Sequence, residues 1–135
     1  MTLTPIPSHL IDAAYTDGAH CLSASCDASG GEITGSQLKM VLSRGERTLI
    51  RMDADGKAVG WGVVRPEQLP NMRVLFVTDL VAPGAHFETF FTALKGMAAG
   101  LGCSRIRCAA KPAQQRLYMQ KLNFQPVYSI LEVLT

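Results

Sequence analysis

The chain has 135 residues, 47% of them hydrophobic, with a formal net charge of +2 from 13 basic and 11 acidic residues. That length makes a single domain, 1–135, and that apolar content excludes an intrinsically disordered chain. The near balance of charge removes any strong electrostatic case for nucleic acid or an anionic membrane as partner, and no apolar run approaches the ~20 residues of a membrane span.

Met1 to Leu10 lacks the basic and apolar blocks of a signal peptide, so the expected location is cytoplasmic. Four cysteines, Cys21, Cys26, Cys103 and Cys108, are then expected as free thiols. Their two C-x4-C spacings are not the C-x2-C knuckle of structural zinc, and no metal is expected.

In chain order, Ser8 is placed to cap a short helix with Leu10, Ile11 and Ala14 on one face. Ser23 to Gly31 reads as a long loop. Thr34 to Gln37 has the pattern of a capping box, with Ile33 and Leu38 placed as its hydrophobic staple. Leu38, Val41 and Leu42 form the buried stripe, and Gly45 stops that helix. A hairpin follows: Thr48 to Met52, a turn at Asp53 to Gly56, and Ala58 to Val64. Pro66 and Pro70 bracket a loop. Arg73 to Val81 is an almost continuous apolar strand of the kind found in the middle of a sheet.

Phe87, Phe90, Phe91, Leu94, Met97, Ala98 and Leu101 fall on a single helical face. Gly102 ends that helix, and Ser104 to Ala110 is the next strand. Pro112 opens a last helix at the position where a missing N–H costs nothing. It runs to Leu122, and Asn123 suits the left-handed residue that closes a helix. Val127 to Leu134 reads as a final strand. The expected order is α-α-β-β-β-α-β-α-β. It implies an α/β fold with a mixed, mostly antiparallel sheet and helices on both faces. The helix between the Arg73 and Ser104 strands makes a crossover between parallel strands.

Three segments carry a resemblance. Val81-Ala82-Pro83 resembles the V-x-P that ends a central strand. Ala98 with Gly102 to Ile106 resembles an A…G-x-x-x-I ending of the next helix. Leu117 to Phe124 (LYMQKLNF) resembles an L-Y-x-K-x-G-F signature, with Asn123 in place of glycine. In this order they resemble the GNAT superfamily of acyl-CoA-dependent N-acyltransferases. The resemblance implies a GNAT-like domain and acetyl-CoA lying beside the Arg73 strand. Backbone groups of Leu80, Val81 and Ala82 would hold the pantetheine and acyl carbonyl. Gly84, Ala85 and His86 would face the diphosphate, and Tyr118 would protonate the departing thiolate. Asp79 is the candidate base for an amine.

Each candidate also has a structural reading. Tyr118 serves as a core aromatic, Asp79 as a partner of Arg73 or Arg51, and His86 as a surface residue at a helix start. The family's diphosphate loop, Q/R-x-x-G-x-G/A, departs here to residues 83–88 (PGAHFE). The leading Arg or Gln is absent, Phe87 stands near the last small position, and Glu88 brings a negative charge to the first helical turn. This implies weak or absent acetyl-CoA binding. In that respect the chain is similar to GNAT-like head-assembly and internal virion proteins of tailed phages, which act through protein contacts in the host cytoplasm or the virion. With a single strand after the last helix, the sheet edge is left unpaired. The resemblance therefore points to a protein partner or self-association through that edge, with an amine-directed N-acetyltransferase as the alternative.

Overall fold

The computed structural model describes residues 1–135. Its centre is the hairpin of β2 (Thr48–Ala54) and β3 (Lys57–Gln68). The turn narrows from the four expected residues to two. Asp55 and Gly56 take φ of 53° and 76°, the pair of left-handed conformations that a two-residue hairpin loop of matching twist requires. β4 (Arg73–Val81) runs antiparallel to β3. β3 continues through Pro66, which lies opposite Leu75 in the ladder and not in a loop. β2 pairs with β3 only as far as Val64, so beyond that point β3 has a neighbour on one side only and tolerates a residue without an N–H.

α4 (Phe87–Gly100) crosses over to β5 (Arg105–Cys108), and Val74 to Val77 of β4 pair in parallel with Arg105 to Cys108. The sheet also holds a strand that the sequence did not announce. β1 (Thr2–Ile6) pairs antiparallel with β2, so the chain begins with a strand and not a helix. The strand order is β1-β2-β3-β4-β5.

α1 (Ile11–Asp17) follows a 3-10 turn at Ser8–Leu10, and Ser8 makes no side-chain cap. α2 (Leu22–Cys26) takes the first residues of the expected Ser23–Gly31 loop. α3 (Gly35–Ser43) starts with the full capping box: Gln37 N–H donates to Thr34 Oγ1 at 3.2 Å and Thr34 N–H to Gln37 Oε1 at 3.0 Å. α5 (Pro112–Leu122) ends at Asn123, left-handed at φ 57°.

The sheet divides the core in two. On one face, Leu49, Trp61 and Val63 pack against Ile11, Ala14, Leu22, Leu38 and Leu42 of α1–α3. On the other, Ile50, Met52, Val64, Leu75 and Val77 pack against Phe90, Phe91, Leu94 and Ala98 of α4. Helices do cover both faces. The expected stripe of α4 is not uniform, however: Phe87 and Met97 are half-buried, and Leu101, past the helix end, is exposed.

The last expected element is absent. Residues 123–135 form no strand, and α5 contains no buried residue. Val127, Tyr128, Ile130, Leu131, Val133 and Leu134 are between 61% and 91% exposed. A strand is made by its neighbour's hydrogen bonds, and this segment has no neighbour.

Candidate functional site

The end of β4 is where the sheet opens. β5 pairs with β4 only as far as Val77, opposite Cys108, so residues 78–81 have β3 as their sole strand partner. At the same point the register slips. Val63 lies opposite Asp79 and Val64 opposite Val77, which leaves Thr78 as an extra residue on β4. Such a bulge turns the following side chains to the other face. Leu75 and Val77 point toward α4. Asp79 shares their odd spacing but points the opposite way, to α2.

There it forms a buried polar cluster. Asp79 is 8% exposed. Ser25 Oγ lies 2.8 Å from its Oδ1, Thr78 Oγ1 donates to Oδ2 at 2.8 Å, and Arg47 Nη1 is 3.9 Å from Oδ2. Cys26 Sγ is 4.0 Å from Oδ1. The expected partners, Arg73 and Arg51, are engaged elsewhere: Arg73 Nε with Leu101 O at 2.9 Å, and Arg51 Nε with Asp53 at 3.0 Å. The Tyr15 hydroxyl is buried with no hydrogen-bond partner. Burial pushes it up to about 12, with Cys26, Asp79 and Cys21 adding to the rise. Burial likewise raises the Cys26 thiol, with Asp79 adding to it. A carboxylate offers about four lone-pair sites, and most of those on Asp79 are taken by the protein. The cluster therefore ties α2 and the start of β2 to the end of β4. Tyr15, Ser25, Cys26 and Arg47 gave no signal in the sequence, since the Ser25 to Asp79 bond spans 54 positions.

Tyr118 lies on the other side of the sheet, in a different setting. Its ring stacks on Phe87 at 4.9 Å with a 21° interplanar angle, and meets Phe91 at 5.7 Å and Phe124 at 5.4 Å. Phe87 in turn lies edge-on to Phe91 at 5.2 Å. Edge and offset contacts of this kind suit aromatic quadrupoles. Burial, and secondarily Cys108, push the Tyr118 hydroxyl up to about 12. Burial alone raises Cys108 to about 11. Asp79 and Tyr118 therefore belong to separate groups: the bulge sends one to α2, while α5 carries the other onto α4.

The remaining candidates sit where β4 meets α4. Leu80 and Ala82 pack toward α4, and Val81 toward α1–α3. Gly84 to His86 form a 3-10 turn before Phe87 opens α4. His86 N–H donates to Pro83 O at 3.0 Å, so one donor of this segment is spent on the turn. A Cβ built on Gly84 meets nothing within 4 Å, so that position does not require glycine. Residues 83–92 contain no Lys or Arg, and exposed Glu88 stands in the first turn. A diphosphate needs charge-assisted donors, and this helix start supplies no side-chain cation beyond what His86 offers when protonated.

No protein-family model matches the chain, and no curated protein matches it by sequence. Solved structures do match in fold. A ribosomal-protein-alanine N-acetyltransferase from Brucella melitensis biovar Abortus 2308 superposes with a TM-score of 0.68 at 12% identity, covering 100% of both chains. A probable acetyltransferase gives 0.67 at 15% identity, covering 100% of this chain and 97% of the other. Glucosamine-6-phosphate N-acetyltransferase from Arabidopsis thaliana gives 0.63 at 13% identity, covering 99% and 98%. The chain has the GNAT acetyltransferase fold.

Proposed function

We propose that this protein uses the GNAT fold as a scaffold for protein contacts and does not itself transfer acyl groups. The observation that carries this reading is the stacking of Phe87 on Tyr118 at 4.9 Å. In the family that the sequence resembles, the start of this helix holds the diphosphate of acetyl-CoA, and the tyrosine serves its thiol end. Here the first residue of α4 spends its side chain on the tyrosine, within an aromatic group that also holds Phe91 and Phe124. The neighbouring residues support the same reading, since residues 83–92 lack a Lys or Arg and Glu88 adds a negative charge. A phenol pushed up to about 12 is also a reluctant donor to a thiolate, whose ordinary value is about 8.5. The assembly role of the similar phage virion proteins is one form that such contacts take.

Calorimetry with acetyl-CoA tests the reading. No binding is expected up to millimolar ligand. Micromolar binding by the unaltered protein overturns it.

A second reading, an acetyl-CoA-dependent N-acetyltransferase acting on an amine, is favoured by the opening beyond Val77 and by a buried carboxylate, Asp79, next to it. That reading requires two results together: micromolar acetyl-CoA binding, and a Tyr118→Phe variant that loses turnover while keeping that binding.

A further inference from the structure

The core of α1–α3 does not reach across the whole of its side of the sheet. Leu75 and Val77 of β4 pack toward α4, so the alternation of a strand turns Val74 and Phe76 to the opposite face. The helices α1–α3 pack on that face at Leu49, Trp61, Val63 and Val81, and neither Val74 nor Phe76 joins their cluster.

Arginine stands there instead. The ladders align Arg65 of β3, Phe76 of β4 and Arg107 of β5 in one row, and Glu67, Val74 and Arg105 in the next. Residues directly opposite one another share a face, so three bases meet one acid. Phe76 is half-buried, and the Arg65 guanidinium carbon lies 5.3 Å from its ring centroid. The polar partners are poor. Glu67 Oε2 lies 3.9 Å from Arg65 Nη2, and Arg107 Nη2 has only the Met72 thioether at 3.7 Å. The Nε–H groups of Arg65 and Arg107 are buried without any acceptor. Only three buried side-chain polar atoms of the chain lack a partner, and two of them are in this one row. Folded proteins seldom leave such donors open.

We propose that the row Arg65–Phe76–Arg107 docks an acidic segment of a partner protein, each guanidinium taking one carboxylate across its fork. A planar fork of N–H donors matches a carboxylate in charge and in geometry. The two arginines stand on strands about 10 Å apart, and acids two residues apart on one side of an extended segment are about 7 Å apart. A pair of such acids therefore spans the row, with the phenylalanine ring between them. Aromatic residues, Met and Arg are also the types enriched at the centres of protein interfaces. Nucleic acid is the poorer fit, because bases stack on a free aromatic face and Arg65 already lies over Phe76. A small free anion is poorer too, because its sites are concave and this is an open sheet face. The inference gives the chemistry of the partner for the protein-contact reading and rests on it. Its test reads arginine side chains, so its failure leaves the acetyl-CoA result standing.

The experiment is proton–nitrogen NMR of the arginine Nε–H signals, with octaglutamate added to the full chain. The Arg65 and Arg107 signals are expected to move together and saturate, while those of exposed Arg44 and Arg116 stay in place. Arg65→Gln and Arg107→Gln should each weaken octaglutamate binding tenfold or more, with an unchanged circular dichroism spectrum. Arg44→Gln removes the same charge elsewhere and should change binding less than twofold. Three results overturn the proposal: Arg65 and Arg107 signals that do not move at millimolar octaglutamate; equal weakening by Arg44→Gln, which means that net charge alone attracts the peptide; or oligothymidylate or inorganic phosphate moving the same two signals at lower concentration than octaglutamate, which assigns the face to nucleic acid or to a free anion.

Discussion

At one edge of the sheet, β1 pairs with β2 over all five of its residues and carries Pro5 within it. It also uses both faces, Leu3 packing with the α4 cluster and Ile6 with the α1–α3 cluster. Pro5 withholds one N–H from any chain that would pair along that edge. At the other edge, β5 has four residues and no proline. Ile106 and Cys108 pack on the α4 side, while Arg105 is exposed. The helix that follows has no buried residue, and the segment after that touches almost nothing. β1 and β5 are both outer strands of the sheet, one of five residues blunted by a proline and one of four residues without one. The contrast is the ground on which we propose that protein contacts are made on the β5 side.

The largest expected effect probes where the covered side of α4 ends. Phe91, 3% exposed, sits between the core and the Tyr118 aromatic group, and Phe91→Ala should cost roughly 3–5 kcal/mol in urea unfolding. A loss below about 1 kcal/mol would put that face with the open side. Asp79→Ala comes next. It strips Ser25, Thr78 and Arg47 of a shared acceptor, and about 2–3 kcal/mol should be lost, as for buried groups left without a partner. A neutral result would sink the structural account of that cluster and return Asp79 to the list of free bases.

Alkaline pH loads both faces of the sheet alike. Tyr15 and Tyr118 are both raised from 10 to about 12 in the folded chain. A raised folded-state value means that the native protein holds its proton more tightly. The stability this contributes is complete below pH 10 and is lost as pH rises from 10 to 12. Denaturation curves at pH 8, 10 and 11.5 should show that fall, and Tyr118→Phe should flatten its own share. At neutral pH, Tyr15→Phe should be stabilising by up to about 1 kcal/mol, because it removes a buried hydroxyl that has no partner. The smallest effect belongs to the open side. Leu131→Ala, at a residue 90% exposed, should change monomer stability by less than about 0.5 kcal/mol when measured at dilution.

What could be read from the residues was what the chain settles locally. The capping box at Thr34, the face of α4, Pro112 opening α5 and Asn123 closing it all depend on neighbours within about four positions, because a helix closes its hydrogen bonds on itself. The Arg73–Val81 strand announced itself by nearly continuous apolar content, as a strand covered on both faces does. The general architecture and the resemblance followed from those pieces. The candidate site was legible only as a roll of residues: Tyr118 and Asp79 could be named, but not the company that each keeps.

Tertiary structure decided the rest, and for one physical reason: a strand and a buried polar group are both completed by partners far along the chain. Thr2–Ile6, with a proline in fourth place, carries no strong strand pattern and is a strand because β2 offers it an edge. Residues 127–134 carry the pattern and form none within the chain, because nothing there pairs with them. The one-residue bulge at Thr78 turned Asp79 away from α4 and toward Ser25, 54 positions away. No spacing in the sequence encodes that turn, since it arises only when two strands of unequal count are made to share a ladder.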